Sequence, residues 1–109
     1  MRSPEWIKGL LVFSLLNGLN LTIQAQVTIL HGTVSDAIGK DRLVAATVQC
    51  AGEGTFTDNQ GRFVMEVPPG MQELSVSYVG FETYNQTLEI AGDSFYVEIP
   101  LKPSASLLG

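Results

Sequence analysis

The side chains able to do chemistry are few and far apart. The single histidine, His31, sits within an apolar-alternating run beside Thr33. Zinc sites draw ligands from His, Cys and carboxylates at short repeated spacings, and none surrounds His31. A catalytic base needs a proton donor or acceptor within hydrogen-bond reach, and no second histidine exists to form a pair. Cys50 is the only cysteine, so no intrachain disulfide can form. It shares a strand face with Ala46 and Val48, which predicts a buried, inert thiol rather than an intermolecular bridge. Asp58-Asn59-Gln60-Gly61 begins like a calcium loop but lacks the distal bidentate glutamate at the required spacing. Asp36 and Asp58 both fall in turn sequences, where a carboxylate caps its own backbone without a metal. No phosphate loop, nucleophile elbow or paired-cysteine motif is present. Asn20-Leu21-Thr22 and Asn85-Gln86-Thr87 match the glycosylation triplet, a pattern short enough to arise by chance. The sequence therefore predicts no catalytic, cofactor-binding or metal-ligating residue, and no enzyme.

The elements that carry these residues begin after a leader. Met1 to Ala25 reads as a signal peptide. Arg2 and Lys8 make a basic start, and Gly9 to Leu16 is an apolar run too short to cross a bilayer. Asn17, Gly18 and Asn20 break the run, and Ala25 offers a small residue before a cut at Gln26. The alternative is an N-terminal anchor using Gly9 to Ile23. No cysteine near the cut offers a lipid attachment point. An exported protein is expected.

Beyond the leader, Lys40, Arg42, Arg62 and Lys102 face ten Asp and Glu, a formal charge of −6. With no basic patch, nucleic acid is not an expected partner. Residues 26–102 fit one small domain, followed by a flexible tail at 103–109.

Within that domain the pattern is period two. Leu30, Gly32 and Val34 share one face of a first strand, Val27 to Val34. Gly32 inside it predicts a bulge or a close approach by a neighbour. Leu43 is expected to tuck beneath the sheet before a second strand with Ala46, Val48 and Cys50 on one face. Ala51-Gly52-Glu53-Gly54 reads as a flexible corner, and Thr55 to Thr57 as a short third strand. From Gly54 to Phe81, three alternating runs are separated by Asp58-Asn59-Gln60-Gly61 and Pro68-Pro69-Gly70. That pattern predicts a β-meander with Gly61 at positive φ. Phe63, Met65 and Val67 point inward, as do Leu74, Val76 and Tyr78. Phe81 to Ile90 is a sixth strand, with Tyr84, Leu88 and Ile90 as core candidates. Phe95, Val97, Ile99 and Leu101 alternate in a last strand, where Pro100 argues for a sheet edge. Tyr78 and Phe81 flank a turn relieved by Gly80. Seven strands without a helix predict an all-β, antiparallel seven-stranded sandwich.

The runs "GTFTDNQGRF", "VPPG" and "LSVSYVGF", preceded by "GTVSDAIGK" and "LVAATVQC", resemble the carboxypeptidase-regulatory-like domain. Arg42-Leu43-Val44-Ala45-Ala46 stands where that family usually has Pro-Leu-x-Gly-Ala. The resemblance covers about the last three-quarters of the chain. It implies a transthyretin-like or Ig-like β-sandwich of the kind found at the N-terminus of Bacteroidetes TonB-dependent outer-membrane receptors. It also implies a non-enzymatic accessory role in the periplasm or at the outer membrane of a Gram-negative bacterium. The implied partners are the transporter plug and barrel, the TonB machinery or a partner lipoprotein. No cofactor and no small-molecule substrate are implied, and a monomer is expected. The chain would then be an N-terminal piece of a transporter without its barrel. The alternative is a free-standing exported module that binds glycan or protein through Ala51–Gly54 and Phe81–Asn85.

Overall fold

A computed structural model describes residues 26–105. The signal peptide expected at 1–25 and the end of the expected tail, 106–109, lie outside the described residues. Seven strands follow in order: β1 (Thr28–Asp36), β2 (Thr47–Cys50), β3 (Glu53–Phe56), β4 (Arg62–Val67), β5 (Gly70–Ser77), β6 (Tyr84–Ile90) and β7 (Ser94–Leu101). They form a three-stranded sheet of order β4-β1-β7 and a four-stranded sheet of order β3-β2-β5-β6. The expected seven-stranded sandwich is what the chain forms.

Its core is what period-two alternation dictates. Leu30, Val34, Val48, Val67, Leu74, Val76, Ile90, Ile99 and Leu101 are all buried between the sheets. Leu43 is buried as expected, before β2 begins. Tyr78, Phe81, Tyr84, Phe95 and Val97 pack against this core while staying half-buried.

Pairing departs from the sequence expectation in two ways. The stretch Gly54–Phe81 is not a meander. β4 pairs with β1 in one sheet, while β3 and β5 both pair with β2 in the other. Alternation fixes which face of a strand is buried, not which strand lies beside it. Pro68 and Pro69 lack the N–H groups that would extend a hairpin ladder, so the chain instead crosses to the opposite sheet there. The second departure is a parallel pair, β1 with β7, in a sandwich otherwise antiparallel. A parallel pair needs a long crossover, and the whole of β2 to β6 supplies it.

Close approach explains Gly32. A Cβ there would collide with the Val97 carbonyl and press on the Phe63 ring, so β7 can lie against β1 only because the side chain is absent. Pro100 lies on β7, an edge strand, as expected. Several boundaries move: β1 runs on to Asp36 rather than ending at Val34, and β6 begins at Tyr84 rather than Phe81. Ala51 and Gly52, both at positive φ, form a tight turn rather than a flexible corner, and Glu53-Gly54 already belong to β3. Pro103 and Ser104 do not start a free tail. Pro103 bridges to Phe81, and the Ser104 N–H donates to the Gly80 carbonyl at 2.8 Å.

Candidate functional site

The residues with chemical potential stay dispersed. His31 lies on the outer face of the three-stranded sheet, in register with Val64 on one side and Tyr96 on the other. Its ring meets the Tyr96 ring at 5.2 Å between centroids, tilted by 59°. The Tyr96 hydroxyl in turn lies 3.2 Å from the Thr33 hydroxyl. No group of three or more His, Cys, Asp or Glu converges among the described residues. The Tyr96 hydroxyl also donates to the Glu98 carboxylate at 3.3 Å, and among the described residues no hydrogen bond links His31 to this row.

Both turn aspartates hold backbone. Asp36 accepts the Ile38 N–H at 2.8 Å. Asp58 accepts the Gln60 and Arg62 N–H groups, each at 2.9 Å. Those two bonds, Arg62 first, hold the Asp58 carboxyl below its ordinary range. An oxygen so occupied is a turn cap. Gly61 closes the same turn at φ 72°, as expected. Cys50 is buried on the inner face of β2, and desolvation pushes its thiol up from its ordinary value, away from the reactive thiolate. Asn85 is exposed on β6. The Tyr78 and Phe81 rings meet at 5.7 Å between centroids, tilted by 56°, across a turn closed by the Phe81 N–H to the Tyr78 carbonyl, with Gly80 at φ 90°.

The two loops expected to offer binding surface each line a shallow concavity. One is bounded by Gln49, Ala51, Gly52, Glu53, Gly54 and Glu73 on the four-stranded sheet. The other lies between the beginning of β6 and the end of β7, bounded by Glu82, Tyr84, Asn85, Pro100 and Lys102. Both are open to solvent; the first carries two carboxylates, Glu53 and Glu73, and the second a carboxylate and an ammonium, Glu82 and Lys102.

Sequence reasoning missed Thr57. Its hydroxyl donates to the Leu43 carbonyl at 2.6 Å and accepts the Ala46 N–H at 2.8 Å. Two backbone bonds between Thr57 and the pair Ala45 and Ala46 reinforce the contact. Hydrophobicity would turn Phe56 inward, yet Thr57 is buried and Phe56 is 66% exposed. The inversion is explained by Ala45, which adopts φ 65° and leaves neighbouring backbone groups that only an inward hydroxyl can satisfy. A signal was present: the family pattern has glycine where Ala45 stands.

Comparison with known proteins adds family and fold. The model of the CarboxypepD_reg-like domain matches residues 30–109. No curated protein matches the chain in sequence. Among solved structures, catechol 1,2-dioxygenase from Acinetobacter sp. ADP1 is similar at TM-score 0.65 and 14% identity, over 78% of this chain and 55% of that one. The 3-chlorocatechol 1,2-dioxygenase of Rhodococcus opacus 1CP gives 0.62 and 13%, over 76% and 62%. A protein from Bacteroides fragilis, described as membrane-associated and of unknown function, gives 0.58 and 18%, over 75% and 30%. The chain thus spans less than two-thirds of each of these structures, and at such identities the likeness is one of fold alone.

Proposed function

The chain belongs to the CarboxypepD_reg-like domain family, and from that premise we propose a non-catalytic accessory domain of a TonB-dependent outer-membrane transporter, exported to the periplasm. One observation carries the non-catalytic part. Among the described residues the turn aspartates are spent on backbone, no three of His, Cys, Asp and Glu converge, and the two concavities hold only the pairs Glu53 with Glu73 and Glu82 with Lys102. A compact sandwich with exposed sheet edges acts instead by position and by contact. The fold-level likeness to a membrane-associated Bacteroides fragilis protein is consistent with work beside a membrane. The dioxygenase likeness supports no oxidation here, because it covers the sandwich at 14% identity or less.

The test is deletion of this domain in its transporter context. Uptake is expected to fall while the barrel still assembles. Unchanged uptake overturns the reading. Stoichiometric zinc with peptide hydrolysis, abolished by His31→Ala, would overturn the non-catalytic half.

A second reading rests on the outer face of the four-stranded sheet. Thr47, Gln49, Ser75, Ser77, Asn85 and Thr87 alternate there with inward residues, and Phe56 stands exposed at one end. Hydroxyls and amides beside an exposed ring are groups that hold a glycan. Titration with soluble glycans, read by Phe56 and β5 amide shifts, separates this free-standing binding module from the accessory domain.

A further inference from the structure

A sandwich of two open sheets has four edges, and they are protected unequally. β3 is four residues long and lies against β4 across the sheets. β4 begins at Arg62 and runs directly into Pro68-Pro69. β7 contains Pro100 and is followed by Lys102. Short length, proline and lysine are the devices that stop an edge from recruiting another strand. β6, with the sequence YNQTLEI, has none of them. Its register with β5 runs unbroken from Val76↔Tyr84 to Gly70↔Ile90, so no bulge twists it away.

The surroundings of β6 also define what would fit. On its outer face Glu89 stands beside exposed Met71, and Thr87 beside Glu73. Glu82 precedes the strand. No Lys or Arg lies between Arg62 and Lys102, so β5 and β6 form a purely acidic flank. On the inner side, Tyr84 is half-buried, with its hydroxyl on the exposed Gln86 side chain, and Phe95 and Val97 on β7 across the gap are half-buried apolar groups. An incoming strand would therefore meet carboxylates with its outward side chains and apolar surface with its inward ones.

Resting on the accessory-domain reading, we propose that the free edge of β6, Tyr84–Ile90, receives an extended segment of a partner polypeptide that alternates cationic and apolar residues. The segment adds a fifth strand to the four-stranded sheet. Its main-chain hydrogen bonds give affinity, and the alternation sets which face it presents.

The test uses the isotope-labelled full chain and a synthetic peptide of alternating lysine and valine, about seven residues long to match a strand. Amide shifts and slowed hydrogen exchange, by about tenfold or more, are expected over Tyr84–Ile90. N-methylation of alternate peptide bonds should abolish them, as should Gln86→Lys, which places a charge on an exposed edge residue. Equal binding of the methylated peptide reduces the effect to charge attraction and overturns the proposal. So do protection mapped to β3, β4 or β7, absence of binding, and concentration-dependent protection of β6 without peptide, which would mean pairing with a second copy. In the transporter, loss of uptake on deletion but not with Gln86→Lys sinks the β6 assignment and leaves the accessory reading standing. An uptake unaffected by deletion sinks that reading instead, while the peptide result still decides the edge.

Discussion

Two corners carry the chain from the four-stranded sheet to the three-stranded one, and they are built to different standards. The β3–β4 corner, Thr57 to Gly61, is fixed from several directions. Thr57 holds Leu43, Ala45 and Ala46, and Asp58 caps two N–H groups. The Gly61 carbonyl receives the Val34 N–H at 2.8 Å. The β6–β7 corner, Ala91 to Asp93, has the Thr28 hydroxyl on the Gly92 carbonyl and the Ile29 N–H on the Asp93 carbonyl. The first corner is held by more bonds than the second, and substitutions should cost most there.

The sharpest test of that contrast is Gly61→Val. A Cβ at Gly61 would lie 2.8 Å from the Val34 carbonyl oxygen and 2.9 Å from the Arg42 Cβ, at a φ that β-branched residues avoid. The expected loss is about 3–4 kcal/mol, from strain and collision together. Coincident denaturant midpoints for the two proteins would remove this corner's hold from the account. Next comes Thr57→Val, which keeps the shape and deletes the hydroxyl. The Leu43 carbonyl and Ala46 N–H lose their buried partner, so about 2–3 kcal/mol should disappear in the same measurement.

Smaller and opposite in sign is Ala45→Gly. Ala45 is held at φ 65°, where glycine carries no Cβ penalty, so the variant should gain about 0.5–1 kcal/mol. A lower melting temperature would mean that the Ala45 methyl packs usefully after all. For Asp58 the sign follows from its depressed pKa. Its caps contribute stability above the ordinary carboxyl value of 3.8, and that contribution is lost as pH falls through the lower folded value. Melting temperature against pH should therefore drop on the acid side for the native protein, and less steeply for Asp58→Ala. The smallest effect belongs to the exposed face of β6. Thr87→Ala, on exposed β6, should change stability by less than about 0.5 kcal/mol. A loss comparable to that of Thr57→Val would mean that β6 is not the weakly held strand its exposure implies.

The sequence revealed the faces of the strands better than their neighbours. Leu30, Val48, Leu74 and Ile99 declare inwardness by alternation, a local property of the chain. Pairing is not local. That β4 leaves β3 and β5 for β1 depends on Pro68-Pro69, and that β7 lies on the other side of β1 depends on the missing side chain of Gly32; only the folded chain joins them. Thr57 was legible only in part: its partners at Leu43 and Ala46 are distant in the chain, and the one local signal was the family glycine that Ala45 replaces. The dispersal of His31, Cys50 and the turn aspartates was legible, because their spacing alone denied them company. The β6 edge was not, because an edge exists only once the strand order is known.

The parallel pairing of β1 with β7 has a mechanical consequence. β1 enters beside the Gly92 turn, while β7 leaves at the far end of the ladder, where Leu101 is in register with Asp36. Tension between the chain before Thr28 and the chain after Ser104 pulls these neighbours along their length in opposite directions. The pairs from Ile29↔Ser94 to Asp36↔Leu101 are then sheared together rather than peeled one at a time. Before that load arrives, the Phe81–Pro103 bridge and the Ser104–Gly80 bond must be stripped. A domain strung this way resists force along its own axis and yields more readily when pulled through β6, whose ladder with β5 unzips from one end.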